Sequence, residues 1–381
     1  MTTSKRSSSK EVTDSRGTQL EELVQRSKTR LTNSVVKGNQ PKKQAEFSIT
    51  DEYAKLKQLV KQRGLLERQL GYYVFKGLST LAMLAVSLAF LVLVDVLWLQ
   101  LINAVFLGFV FAQLGYVGHD AGHRQIFHSV RNNEIISLAI CFLLAFERTW
   151  WLDKHNRHHS NPNHTALDPD ADLPVIAFTK EQALKKRGFY RFIVTHQVFF
   201  FYPMLCLEGL GLRLAGIQYA LANKLKYPLA EPMLMLGHGV AYFGLLFLFL
   251  SFWHVLLFFL VHQLVFGLIV GLAFAPNHKG MLMLGEDGSD DLDFLRRQVL
   301  TSRNVRGNVL TDFWYGGLNY QIEHHLFPNM PRNKLRETQK VVKEFCMGHS
   351  IPYHETGLIQ SQKEILQALY LESAPLRSNT T

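Results

Sequence analysis

The chain has 381 residues, 48% of them hydrophobic and 19% charged, which is more apolar and less charged than an ordinary soluble enzyme of its size. Its three cysteines, Cys141, Cys206 and Cys346, lie far apart and in no CxxC pair, which argues against a disulfide framework and a thiolate metal site. The net charge of +10 fits basic loops on one side of a membrane, and no RNA-binding or helix-turn-helix pattern accompanies it, so nucleic acid is not an expected partner.

Residues 1–48 are rich in Ser, Thr, Lys, Arg and Gln and read as a mobile basic tail, because this composition buries too little apolar surface to offset ordering entropy. No run in the first 70 residues resembles the apolar core of a signal peptide, so the N-terminus is expected to stay where it is made. From Ile49 to Leu70 a helical stretch follows. Its stripe of Leu56, Leu59, Val60, Leu65 and Leu66 is expected to lie on a membrane surface.

Four segments, at about 77–94, 101–118, 234–252 and 255–276, approach the roughly 20 apolar residues that a bilayer crossing needs. The connectors at 95–100 and 251–254 are so short that each pair must form a hairpin, leaving the rest of the chain on the opposite face. That face holds the basic N-terminus, the loop from 119 to 232 and everything from 277, and the positive-inside bias makes it cytosolic. Shorter apolar stretches at 135–146 and 192–207 are expected in the interface. The expected fold is all-α and membrane-integral, with four transmembrane helices in two hairpins. Residues 49–355 read as one domain and 356–381 as a cytosolic extension.

Three histidine clusters stand out among the 16 histidines: His119-Asp-Ala-Gly-His123, His155-Asn-Arg-His158-His159 and Gln321-Ile-Glu-His324-His325. Residues at i and i+3 or i+4 share a helix face, so each of the first two boxes can present imidazoles to one point. The first box directly follows the second apolar segment, and His278 directly follows the fourth. Eight imidazoles on one face exceed the four to six ligands of a single ion, so two metals are implied. Imidazole suits Fe, Zn, Cu and Ni alike, which leaves the metal open at this point.

Asp120 and Glu323 adjoin box histidines and are expected to accept the second N–H of metal-bound imidazoles. Asp168, Asp170 and Asp172 can do the same, although a solvated loop with Pro169 and Pro174 is the preferred reading. Trp150 and Trp151 either line a substrate channel or serve as interfacial aromatics. His262 and Gln263, inside the fourth apolar segment, are expected to hydrogen-bond a neighbouring helix. His128, His164, His196, His238 and His254 lack box spacing and read as surface or capping residues. The basic cluster Lys180, Lys185, Lys186, Arg187 and Arg191 faces phosphate groups, of coenzyme A or of lipid, or simply solvent. Gly209-Leu-Gly211 has no third glycine and no βαβ context, so no dinucleotide site is expected.

The boxes, which read HxxxH, HxxHH and QxxHH in this order, resemble those of the membrane fatty acid desaturases over about residues 70–355. Gln321 at the head of the third box, within Gly-Gly-Leu-Asn-Tyr-Gln-Ile-Glu-His-His-Leu-Phe-Pro from Gly316 to Pro328, is similar to the front-end branch, which includes linoleoyl-CoA and other Δ6 or Δ5 enzymes. The resemblance implies a four-helix membrane stem under a cytosolic helical cap. It implies a di-iron centre held by His119, His123, His155, His158, His159, His278, His324 and His325, with Gln321 as a possible further ligand. It also implies O2-dependent removal of two hydrogens from an acyl-CoA or lipid chain, in a bacterial plasma membrane or the endoplasmic reticulum.

Two departures qualify the match. Stearoyl-CoA members carry a water-bridged Asn where this chain has Phe274. Many front-end members carry a fused cytochrome b5 with a His-Pro-Gly-Gly motif that is not found here, so electrons are expected from a separate donor, ferredoxin or cytochrome b5 with its reductase. The rival readings are a Δ9-type desaturase or a lipid hydroxylase on the same scaffold, and a metal or haem transporter. The last would place ionisable residues at mid-depth in several helices.

Overall fold

The longest apolar runs become the longest helices. A computed structural model describes residues 42–285 and 292–378, and from Tyr53 onward the chain forms one unit. Of the expected tail, residues 1–41 lie outside the described residues; the remainder enters α1 (Lys42–Gln62). Two long helices follow, α2 (Leu70–Leu93) and α3 (Leu97–Gly122), then α4 (Val130–Leu144) and α5 (Arg148–Ser160), bent 111° apart. Next come α6 (Lys180–Lys185), α7 (Gly188–Thr195), and the pair α8 (Gln197–Cys206) and α9 (Glu208–Ala222), bent by 71°. A second long pair is α10 (Ala230–Phe249) and α11 (Phe252–His278). The C-terminal run holds α12 (Phe294–Leu300), β1 (Asn304–Val305), α13 (Val309–Trp314), α14 (Gln321–Leu326), α15 (Leu335–Gly348), β2 (Glu355–Thr356), α16 (Leu358–Glu372) and α17 (Ala374–Ser378). The two short strands pair in parallel.

By length and composition α2, α3, α10 and α11 can each cross a membrane, and six crossings result if each bent pair is one span. The few polar residues of the α2–α3 hairpin are spent on its own geometry. Gln100 Nε2 donates to the Val94 carbonyl at 2.6 Å and closes the turn, while Ser87 Oγ donates to Asn103 Oδ1 at 2.7 Å between the helices. At the centre α3 and α11 pack backbone to backbone: a Cβ on Gly108 would come within 3.0 Å of the Phe266 nitrogen.

Both central helices outrun their apolar windows. Helix α3 continues through Gly122 and carries His119 within it, and α11 passes Pro276 to end at His278. Hydropathy alone ends a helix at its first polar residues, but here those residues find partners, so the backbone ladder continues. The loop after α13 reaches α3 through Gly316, whose φ is +59° and whose added Cβ would meet Tyr116 Cγ at 2.5 Å. Only glycine fits there.

The stripe on α1 and the turn after it differs from expectation. Leu56, Val60 and Leu65 are fully buried among Leu295, Val299, Ile322 and Leu326, so they pack on the third-box region instead of a membrane surface. An apolar stripe alone does not say which apolar surface will cover it. The stretch at 192–207 also breaks, at His196, into α7 and α8.

Candidate metal centre

The first two boxes lie on helices, α3 with its C-cap and α5, and the third on one turn, α14. Helix α5 starts where it does because Glu147 caps it, accepting the amides of Thr149 and Trp150, with the buried Glu231 of α10 also accepting Thr149 N at 3.0 Å. Seven residues on, that helix delivers His155, His158 and His159.

All eight predicted imidazoles converge, in two groups. Ring nitrogens of His119, His123, His155, His159 and His324 lie within 4.8 Å of one another, and so do those of His158, His278 and His325. Within each group the Nε2 atoms face each other, at 2.8 Å (His123–His155) and 3.1 Å (His155–His159, His159–His324) in the first and at 3.1 Å (His278–His325) and 3.2 Å (His158–His278) in the second. Ligand nitrogens at right angles on a metal, with bonds of about 2.1 Å, stand about 3.0 Å apart. The buried Nε2 of His119 has no hydrogen-bond partner among the described residues. Converging nitrogens of this kind fit metal ions.

The opposite ring nitrogens are held from behind. His278 Nδ1 donates to the Thr301 carbonyl at 2.9 Å, His325 Nδ1 to Gln298 Oε1 at 2.8 Å, and His158 Nδ1 to Asp168 at 2.9 Å. Gln298 is itself fixed, donating to the His159 carbonyl at 2.9 Å. Each bond sets the tautomer that leaves the Nε2 lone pair facing the centre. Burial pushes the His155, His159, His324 and His325 imidazoles well below their ordinary pKa, and the neighbouring imidazoles push the same way. They are therefore neutral, as ligands must be.

Of the expected outer partners, Asp120 lies 3.4 Å from His119 Nδ1 and pairs through its other oxygen with the buried Arg332. Glu323 departs from expectation. It touches Asn304 Nδ2 at 2.7 Å and Tyr353 Oη at 2.8 Å in place of an imidazole, and burial lifts its pKa to about 7. Neighbours on one helical turn point about 100° apart, and Glu323 stands on the side of α14 that meets Asn304 and Tyr353. Gln321 stands at the centre with its Nε2 at 2.9 Å from His278 Nε2, while its carbonyl oxygen accepts from Asn277.

Asp168 reverses the solvated-loop reading. It is buried and accepts from both His158 and the Asn163 amide, at 2.8 Å for the latter. Burial would raise its pKa, but the hydrogen bond and charge of His158 outweigh that and hold it below the usual range. Asp170 has one oxygen taken by Lys154, and Asp172 is exposed. Asn163, in the left-handed region at φ +57°, donates to the His278 and Leu282 carbonyls and so ties this loop to the end of α11. Gln298, Thr301 and Asn163 were not foreseen, since isolated amides and a backbone carbonyl leave no spacing signal.

An apolar pocket runs from His119 and Trp151 down between α3, α4 and α11, past Ile140, Val270 and Leu144 to Phe266. Trp151 stacks on His155 at 4.6 Å, and Gly122 makes room for its ring. Trp150 is buried outside the pocket lining, and Phe274 lines it. His262 and Gln263 do bond between helices, to Tyr242 and Arg213, and His164 caps its own loop by accepting from the Ala166 and Leu167 amides.

Residues 96–357 match the family model described as fatty acid desaturase. An acyl-lipid (9-3)-desaturase of Physcomitrium patens is 30% identical over 332 residues, covering 84% of this chain and 62% of that protein. A Delta(6)-fatty-acid desaturase of Caenorhabditis elegans is 32% identical over 322 residues, covering 81% and 72%. A Delta(8)-fatty-acid desaturase of Euglena gracilis is 29% identical over 323 residues, covering 82% and 76%. The chain belongs to the fatty acid desaturase family, and the relatives it matches bear front-end names. It spans less than two thirds of the Physcomitrium patens protein.

Proposed function

We propose that this protein is a membrane-embedded front-end fatty acyl desaturase that places a cis double bond in an acyl chain, using O2 and two iron ions. The observation that carries the reading is the convergence of eight imidazoles beside an apolar pocket. His119, His123, His155, His159 and His324 hold one ion, and His158, His278 and His325 the other. Gln321, whose side-chain amide stands 2.9 Å from His278 Nε2, is a possible further ligand at the centre.

Iron, when bound, supplies the O2 activation needed to break an unactivated C–H bond. The protein's part is placement and dryness. Asp168, Gln298 and the Thr301 carbonyl fix the imidazoles, so the ligand geometry is set before anything binds. The acyl chain lies in the pocket beneath His119, where Trp151 and the aliphatic wall exclude water that would quench a strong oxidant. His158, His278 and His325 would hold the second ion through three nitrogens.

The four apolar helices form the stem, in residues 49–355 taken as one catalytic domain with 356–381 as its extension. The histidine-bearing ends face the cytosol as a cap. Two electrons per turnover come from a separate donor, cytochrome b5 with its reductase or a ferredoxin.

The test is expression in a host without polyunsaturated lipids, fed defined acids, with new double bonds located by mass spectrometry. New unsaturation counted from the carboxyl end supports the reading. A hydroxylated product, or no product from any acid, overturns it.

A further inference from the structure

We propose that Phe266 is the floor of the acyl pocket and sets the longest chain accepted, with Gly209 and Arg213 holding its ring in place. The inference rests on reading the pocket as the acyl site. Among the pocket residues on α11, Phe266 is the farthest from His278, and its ring is fully buried. On one side it lies against bare backbone, for a Cβ on Gly209 would come within 2.6 Å of Phe266 Cδ1. On another, the Arg213 guanidinium stands 5.3 Å from its centroid and 5.1 Å from that of Phe146, a second lining residue.

Arg213 is itself anchored. Its Nε donates to the Leu144 carbonyl at 2.9 Å, and its Nη1 to the Gly209 carbonyl at 3.0 Å and to the Gln263 side chain. One cation thus ties α4, α9 and α11 together directly behind the ring. A buried cation among apolar helices is costly and persists where it has such partners. Further rings close the rim: Phe146 and Phe111 lie 5.9 and 6.0 Å from Phe266. The pocket therefore ends at a pinned aromatic plate and does not open into lipid there.

The depth suits a chain end. On α11 the lining runs from Phe274 back to Phe266, eight residues that span about 12 Å of helix. An extended hydrocarbon advances about 1.25 Å per carbon, from bonds of about 1.52 Å at about 111°. Roughly 10 carbons then match the lined length.

The test uses the full chain in membranes supplied with a homologous series of acyl chains, reading the ratio of desaturated product from each length. Phe266→Ala deepens the pocket and raises product from the chain two carbons longer than the preferred one by about tenfold relative to the preferred length. Gly209→Ala drives the ring inward and shifts the ratio toward shorter chains. Arg213→Leu frees the ring and shifts it toward longer ones. In every case the double bond keeps its distance from the head end. If Phe266→Ala does not accumulate, Phe266→Leu reads the same ratio. Active variants with the wild-type length profile, or Phe266→Ala and Gly209→Ala shifting in the same direction, overturn this inference alone. A wild-type protein that desaturates no chain overturns the acyl reading beneath it.

Discussion

The Nδ1 of His158 lies 2.9 Å from the carboxylate of Asp168, ten residues further on, and that carboxylate is almost wholly buried. Its position makes Asp168 a charged outer support of His158 in the three-imidazole group. Asp168→Asn is expected to lower iron affinity or turnover by about 10- to 100-fold, as loss of such partners does at other metal sites. Asp172→Asn, at an exposed position of the same loop, leaves both unchanged. Iron content and product formation on the two purified variants check this; equal iron and equal turnover would remove Asp168 from the site.

Acid stability follows from Glu364 on α16, which accepts from His354 Nε2 at 2.9 Å and pairs with the fully buried Arg303 at 2.5 Å. Burial alone would raise its pKa, but His354 and Arg303 outweigh that and bring it from an ordinary 4.5 down to about 2. With the folded value below the unfolded one, the carboxylate's contribution is fully present above pH 4.5 and is lost as the pH falls toward about 2. The melting temperature is expected to drop across that window, and Glu364→Gln to flatten the drop. A mutant curve parallel to wild type would show that Glu364 is not its source.

Much of the site is legible in the sequence because helical spacing is a local rule. His119 and His123, or His155 with His158 and His159, are placed on one face by their offsets alone, and the apolar windows put His119 and His278 at helix ends. What stays hidden depends on the chain's return from far away. Glu323 immediately precedes His324 and His325 in sequence yet reaches Asn304 and Tyr353, and Asp168 lies in a loop whose prolines suggest solvent until Asn163 folds it onto α11. The α1 stripe likewise shows that Leu56 and Val60 are buried somewhere, while their partner Ile322 is more than 250 residues away.

The packing of that stripe has its own expected outcome. Leu56 is fully buried, and Leu56→Ala should cost about 2–5 kcal/mol of stability. Leu59, on the same helix but 39% exposed, should lose within about 0.5 kcal/mol on the same change. Thermal or denaturant unfolding of the two variants in detergent separates a core role from a membrane-surface one. Equal, small losses would return the stripe to the membrane.

Iron counted per chain bears most directly on the eight imidazoles. Purified, active protein should hold two iron atoms, and His278→Ala should fall to one by emptying the three-imidazole group while His123 and its neighbours keep theirs. Active protein without iron, or a His278→Ala variant that still holds two, would contradict the account.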